Sequence, residues 1–177
     1  MMLVRTVLAS VACIALVWGA AAETKLTDFN GEWRGTGQDR DLPLQSMQDI
    51  TCQNAVRATP RRMRIEMTCE RKSGARKVIR MNATLEGDQL SGRINRRSVQ
   101  PGRADEVLGG TLSGRKTDNS ANFEVAWKGM TPDITVDLQL NTPTSYSMKV
   151  TALGATMMDV TFTRTSARPP PRQPRQR

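Results

Sequence analysis

The sequence predicts an all-β fold: an antiparallel up-and-down meander of about 8–10 strands that closes into a small soluble barrel. Through most of the chain, apolar and polar residues alternate with a period of two, as in strands with one buried face. Short turn signals, such as those at 87–88 and 118–119, separate the alternating segments. No stretch carries a helical period. Because a long open sheet leaves two exposed edges, we expect the meander to close.

Residues 1–22 have the pattern of a removable export signal. Arg5 precedes an apolar run at 7–17, and the segment ends in small residues. The run is too short to span a bilayer, and Lys25 is the only basic residue close behind it. We therefore predict a cleaved signal peptide, a mature chain beginning at Glu23, a periplasmic location and no transmembrane segment after cleavage.

The remaining chain divides into a barrel domain at 23–166 and a disordered tail at 167–177. The tail is rich in proline and arginine, a composition that forms neither sheet nor core. It is either a solvated terminus or a tether to an anionic envelope surface. The tether would act through Arg168, Arg172, Arg175 and Arg177.

The alternation predicts ten strands in the barrel domain. Only six aromatic residues follow position 22, too few for the girdles of an outer-membrane barrel, so the apolar face is expected to be the interior. In chain order, the predicted strands are 29–37, 47–58, 63–71, 77–86, 89–96, 106–115, 122–128, 133–140, 145–152 and 156–164.

The hairpin of the second and third strands predicts a disulfide. With Pro60 and Arg61 as its loop, Cys52 and Cys69 become direct neighbours on the inward face. Opposed Cα atoms lie about 4.5 Å apart in a non-hydrogen-bonded pair, within the range of a disulfide. A cysteine pair in an exported chain is typically bonded.

In the later hairpins, residues at equal distances from the turns at 87–88, 118–119 and 141–145 are likewise expected to lie opposite each other. The last strand begins after the break at Gly154. The predicted inward pairs include Met81 with Ile94, Gly110 with Trp127, and Leu138 with Met148.

The opening segment resembles the first strand of lipocalins and related calycins. Those barrels begin with Gly-x-Trp, here Gly31 and Trp33, and many place an arginine from after the last strand over that tryptophan. The resemblance implies that Arg164 takes this role and that Gly31, Trp33 and Arg164 close one barrel end. With its cysteine pair and two Leu-Ser-Gly repeats, the chain is also similar to small, uncharacterised exported barrel proteins of alpha-proteobacteria.

Several classes of chemistry are not expected. The chain carries 26 Lys and Arg against 17 Asp and Glu and contains no histidine. The lack of histidine excludes Ser-His-Asp and Cys-His catalysis and His-ligated zinc or haem. We expect no enzyme activity, cofactor or metal site, and exposed aromatics are too few for nucleic-acid stacking. Asp39, Asp41 and Asp49 suggest a carboxylate pair or a Ca²⁺ site, but a solvated loop is the expectation.

Three functions stay open. The first is binding of a small apolar or amphipathic ligand, or of an envelope component. The second is an interaction barrel such as a periplasmic protease inhibitor, which would insert the segment 23–29 into a protease cleft. The third is a carboxylate-based hydrolase. Ligand binding requires an internal cavity, and inhibition requires an exposed apolar loop or terminus over a filled interior. The candidate lining residues for a ligand are Trp33, Met67, Met81, Trp127 and Met148.

Overall fold

A computed structural model describes residues 25–129 and 134–166 and shows a closed antiparallel β-barrel. A short 3-10 helix at Leu26–Phe29 precedes the sheet. The predicted signal segment and tail lie outside the described residues. The ten strands are β1 (Gly31–Asp39), β2 (Gln48–Thr59), β3 (Arg62–Arg71), β4 (Arg76–Glu86), β5 (Gln89–Val99), β6 (Glu106–Lys116), β7 (Ser120–Trp127), β8 (Ile134–Thr142), β9 (Ser145–Ala152) and β10 (Ala155–Arg164).

The strands follow one another around the barrel in chain order. Each strand pairs with the next, and β1 pairs with both β2 and β10, which closes the sheet. This confirms the predicted meander and its closure. In the described part of the chain, no helix is long and apolar enough to cross a membrane.

The predicted strand register is confirmed. Cys52 lies opposite Cys69 with their Cα atoms 4.1 Å apart, and the two form a disulfide. Turn length fixes register in a hairpin, so short loops made these pairings predictable. The other confirmed pairs are Met81 with Ile94, Gly110 with Trp127, and Leu138 with Met148.

The start of the first strand differs from the prediction. Phe29 was expected in β1 but belongs to the 3-10 helix, and β1 begins at Gly31. The side chain of Asn30 makes the two hydrogen bonds to Ala58 that the backbone of a paired strand would otherwise make. Its amide donates to the Ala58 carbonyl at 2.8 Å, and its oxygen accepts from the Ala58 backbone N–H. With Ala58 satisfied in this way, the chain before Asn30 is free to turn across the barrel end.

The two Leu-Ser-Gly repeats interlock on neighbouring strands. Leu90 on β5 lies opposite Gly114 on β6, and Gly92 lies opposite Leu112. Each leucine therefore packs inward beside a position without a side chain. A Cβ on Gly114 would lie 1.9 Å from the carbonyl oxygen of Asn122, so the neighbouring backbone occupies that space. The repeats allow the sheet to bend tightly.

Replacing Gly114 with alanine should destabilise the barrel, because the added Cβ overlaps the Asn122 carbonyl. We expect Gly114→Ala to lower the free energy of unfolding by about 1–3 kcal/mol, the usual cost of forced overpacking. Gly109→Ala on the same strand is the control. Its Cβ would meet only the side-chain oxygen of Asn95, at 3.3 Å, and should change stability by less than about 0.5 kcal/mol. Urea denaturation measures both, and equal effects would contradict the backbone-overlap explanation.

Candidate functional site

One barrel end, called the plugged end, is closed by the 3-10 helix and Trp33. The Trp33 indole N–H donates to the carbonyl of Phe29 at 2.9 Å. The guanidinium carbon of Arg164 lies 4.5 Å from the Trp33 ring centroid, and Arg164 donates to the Asp28 carbonyl at 2.6 Å. This is the contact that the lipocalin resemblance implies. Gly31 has a φ of 145°, and a Cβ added there would lie 3.5 Å from the Arg164 side chain.

An aromatic cluster continues the plug into the barrel. The Tyr146 ring stacks on Phe162 with centroids 4.7 Å apart and meets Trp33 edge-on at 4.8 Å. Its hydroxyl accepts a hydrogen bond from the amide of buried Asn54. Burial raises the pKa of Tyr146 well above its usual range, despite that bond. The phenol is therefore neutral at physiological pH and acts in packing.

The predicted ligand-lining residues all lie inside the barrel. Trp33 is 1% exposed, Met67 2%, Met81 3%, Met148 5% and Trp127 8%, so solvent scarcely reaches any of them. They belong to one continuous core and are packed against its other apolar side chains. A ligand in this interior would have to displace core side chains.

The segment 23–29, expected to be a free inserting terminus in an inhibitor, is packed where it is described. Leu26 and Phe29 are each 2% exposed and belong to the core. Their apolar side chains cover the plugged end, so this part of the segment is unavailable to enter a protease cleft.

The opposite end, called the loop end, carries a four-residue ionic cluster. Arg71 donates to Asp39 and to Asp41, each at 2.7 Å. The Lys77 ammonium lies 2.6 Å from Asp39 and 2.8 Å from Asp41. The carboxyl groups and cations balance, which allows charge to lie in the mouth of the barrel.

The expectation of a solvated acidic loop is wrong for Asp39, whose side chain is only 2% exposed. Asp39 is the last residue of β1 and continues the inward parity of Gly31 and Trp33. This parity could have predicted that Asp39 points inward. The predicted strand ended at Gly37, so Asp39 was assigned to the loop. Asp49 does lie in the open, with a side chain 66% exposed.

The cluster does not provide the acid of a hydrolase at Asp41. Partial burial acts to raise the pKa of Asp41, but hydrogen bonds and charges from Arg71 and Lys77 outweigh it and lower the pKa to about 2. Glycoside hydrolysis needs a carboxylic acid that is still protonated near neutral pH. The described residues also contain no group of three acidic or cysteine side chains placed to hold a metal ion.

The β1–β2 loop, residues 40–47, is braced by hydrogen bonds from its first residue. The Arg40 side chain donates to the carbonyls of Thr156 at 2.6 Å, Pro43 at 2.6 Å and Gln45 at 3.2 Å. The bond to Thr156 ties the loop to β10, and the other two brace its turn. Asp41 adds an anchor through the ionic cluster.

Exposed apolar side chains are concentrated at the loop end. Leu42 and Leu44 on the β1–β2 loop are 59% and 101% exposed, and Leu153 in the β9–β10 turn is 70% exposed. Val107, near the start of β6, is 67% exposed at the same end. Residues 40–47 show no alternation of apolar and polar residues, so the exposure of Leu42 and Leu44 was not predicted.

The loop end also holds a second arginine–tryptophan contact. The Arg96 guanidinium lies 5.7 Å from the Trp127 ring centroid and pairs with Glu106 at 3.1 Å. The Trp127 indole N–H is buried and has no hydrogen-bond partner in the described part of the chain. This contact covers the core between β5, β6 and β7.

The fold and its two ends define a ten-stranded, closed, antiparallel barrel with a filled interior. No protein-family model matches the chain, and no curated protein matches it.

Lys77→Met should destabilise the loop end strongly, because it leaves Asp39 and Asp41 to share Arg71 alone. We expect a loss of about 2–4 kcal/mol at pH 7, as for a broken buried ion pair. Lys72→Met is the control, since the Lys72 side chain is 91% exposed and 4.0 Å from Asp49. It should change stability by less than about 0.5 kcal/mol. Similar losses in both variants, measured by chemical denaturation, would contradict a structural role for the cluster.

Asp41 should make stability depend on pH in acid. Its pKa falls from 3.8 in the unfolded chain to about 2 in the folded one, so its stabilisation is complete above about pH 5 and is lost as pH falls toward 2. Allowing for its partial exposure, Asp41→Asn should cost about 1 kcal/mol at pH 7. The difference from wild type should shrink steeply by about pH 2 and vanish near pH 1, below both pKa values. Denaturation curves at neutral and at acidic pH check this, and a difference that stays the same in acid would contradict the role given to Asp41.

Proposed function

We propose that this protein is a non-enzymatic, exported interaction barrel that binds a protein partner through its loop end. The observation that carries the proposal is Leu44, fully exposed on a loop that Arg40 braces with hydrogen bonds and Asp41 anchors through the ionic cluster. Rigid loops lose little conformational entropy on binding, so an exposed apolar side chain on one is an effective anchor. A partner with an apolar cleft, such as an endopeptidase, fits this shape.

Leu153 supports the same proposal independently. It has a φ of 51°, in the left-handed region, where a leucine is strained. Its side chain is 70% exposed, so burial in this chain does not offset the strain. Glycine or asparagine would suit the turn better. An exposed leucine kept at a strained position points to a contact outside the chain.

A small ligand inside the barrel has less support. Its proposed contacts, Trp33, Met67, Met81, Trp127 and Met148, are packed into the core. The interior would need to open before a ligand could enter, and that opening would cost packing contacts. The loop end is already formed and exposed.

The disulfide of Cys52 and Cys69 supports export, since such bonds persist in oxidising compartments. Gly31, Trp33 and the overlying Arg164 support a calycin-like ancestry, although the ten strands exceed the eight of lipocalins.

The proposal is tested by placing a photo-crosslinking amino acid at position 44 in cells of the source organism. We expect a discrete protein adduct, which mass spectrometry identifies. The same probe at Thr161, exposed on the outer face of β10, is the control and should give no such adduct. The identified partner is then purified, and Leu44→Asp should weaken its binding at least tenfold, as for an interface anchor.

Because Leu44 is fully exposed, Leu44→Asp should leave the melting temperature unchanged. Adducts that are equal at the two positions, or affinity unaffected by the substitution, contradict the proposal. Crosslinking of position 44 to lipid instead of protein would replace the protein partner with a membrane surface.

A further inference from the structure

The exposed arginines on the outer wall of the barrel are concentrated on one side. Strands β6–β10 present Arg115 and Lys149 beside the carboxylates Glu124, Asp137 and Asp159. Strands β2–β5 are richer in exposed arginine, and their side of the wall favours an anionic ligand. Five of these arginines form the arginine cluster, namely Arg57, Arg62, Arg64, Arg80 and Arg93.

The strand register draws three arginines of this cluster into a row, with Arg62 two positions along β3 from it. Arg57 on β2 lies directly opposite Arg64 on β3, and Asn82 on β4 lies between Arg64 and Arg93 on β5. Neighbouring strands are about 4.8 Å apart, so the row spans roughly 14 Å. Like charges directly opposite one another destabilise a sheet. A bound anion would relieve the repulsion.

Carboxylates on the chain compensate only part of this charge. Arg57 pairs with Glu32 at 2.7 Å, and Arg64 pairs with Glu66 at 2.6 Å. Within residues 25–129 and 134–166, Arg62 forms no ion pair. Its guanidinium is therefore available to an anion from outside the chain.

An open groove of about 710 Å³ lies at this row, toward the plugged end. Arg57, Arg62 and Arg64 line it, together with the side chains of Asn82 and Thr84, which supply further hydrogen-bond donors. No carboxylate of the described chain is among its lining residues. The volume is that of a small-molecule site, and the donor set matches an anion.

We propose that this groove binds a phosphate-bearing small molecule, with Arg62 as the principal contact and Arg57 and Arg64 beside it. Arginine is suited to this role because its planar N–H pairs fit two phosphate oxygens at once. The same chemistry occurs in soluble phosphorylated compounds and in lipid headgroups, which the experiment separates.

Purified protein is titrated with inorganic pyrophosphate by isothermal titration calorimetry. We expect saturable binding that Arg62→Gln weakens about tenfold, the effect of losing charge-assisted hydrogen bonds. Arg115→Gln removes the same charge from β6, outside the groove, and should change the affinity less than about twofold. Arg64→Gln is the second groove variant, and thermal melts establish that each variant is folded.

Co-sedimentation separates the two sources of phosphate. Binding to phosphatidylglycerol vesicles that Arg62→Gln weakens and Arg115→Gln does not assigns the groove to a lipid headgroup. Pyrophosphate binding without vesicle binding assigns it to a soluble ligand. No saturable binding to either probe, or equal weakening by Arg62→Gln and Arg115→Gln, overturns the proposal, since general basicity would then explain the result.

Discussion

Closure of the sheet between β1 and β10 is the constraint on which the rest of the structure depends. A Cβ on Gly35 would lie 2.7 Å from side-chain atoms of Val160 and Phe162, and one on Gly37 would lie 2.0 Å from the Asp159 carbonyl oxygen. The last strand packs against the first only because these two positions have no side chain. The seam then satisfies the backbone groups that an open sheet would leave at its edges.

Closure also decides how each end of the barrel is filled. At one end, the seam brings Arg164 over Trp33, and an aromatic cluster seals the core. At the other end, it brings β10 beside the β1–β2 loop, where Arg40 binds the Thr156 carbonyl. The first end is apolar and covered. At the loop end, the ionic cluster of Asp39 and its partners fills the mouth of the barrel. Above it, the β1–β2 loop exposes the apolar side chain of Leu44.

A filled interior moves the candidate functions to the outside of the barrel. The rigid loop and the arginine row lie on different surfaces and differ in chemistry, one apolar and one cationic. The disulfide ties β2 to β3, the two strands that carry Arg57 and Arg64. Two arginines of the row therefore stand on a hairpin that a covalent bond constrains, which favours a preorganised contact.

The sequence by itself determined the number and order of the strands, their register and the disulfide, because period-two alternation and short turns are local properties that fix which residues face each other. It also determined the inward parity of Gly31 and Trp33. It did not determine the bounds of β1, whose ends depend on contacts of Asn30 and Asp39 with other strands. Only the tertiary structure decided the ionic cluster, since Asp39 and Lys77 lie 38 positions apart and meet across the two strands between them, β2 and β3. It also decided that the interior is filled, because packing depends on how tightly a closed barrel bends. The tertiary structure also decided the exposed position of Leu44. Arg40 braces the loop of Leu44 against β10, and β10 lies beside this loop only once the sheet has closed.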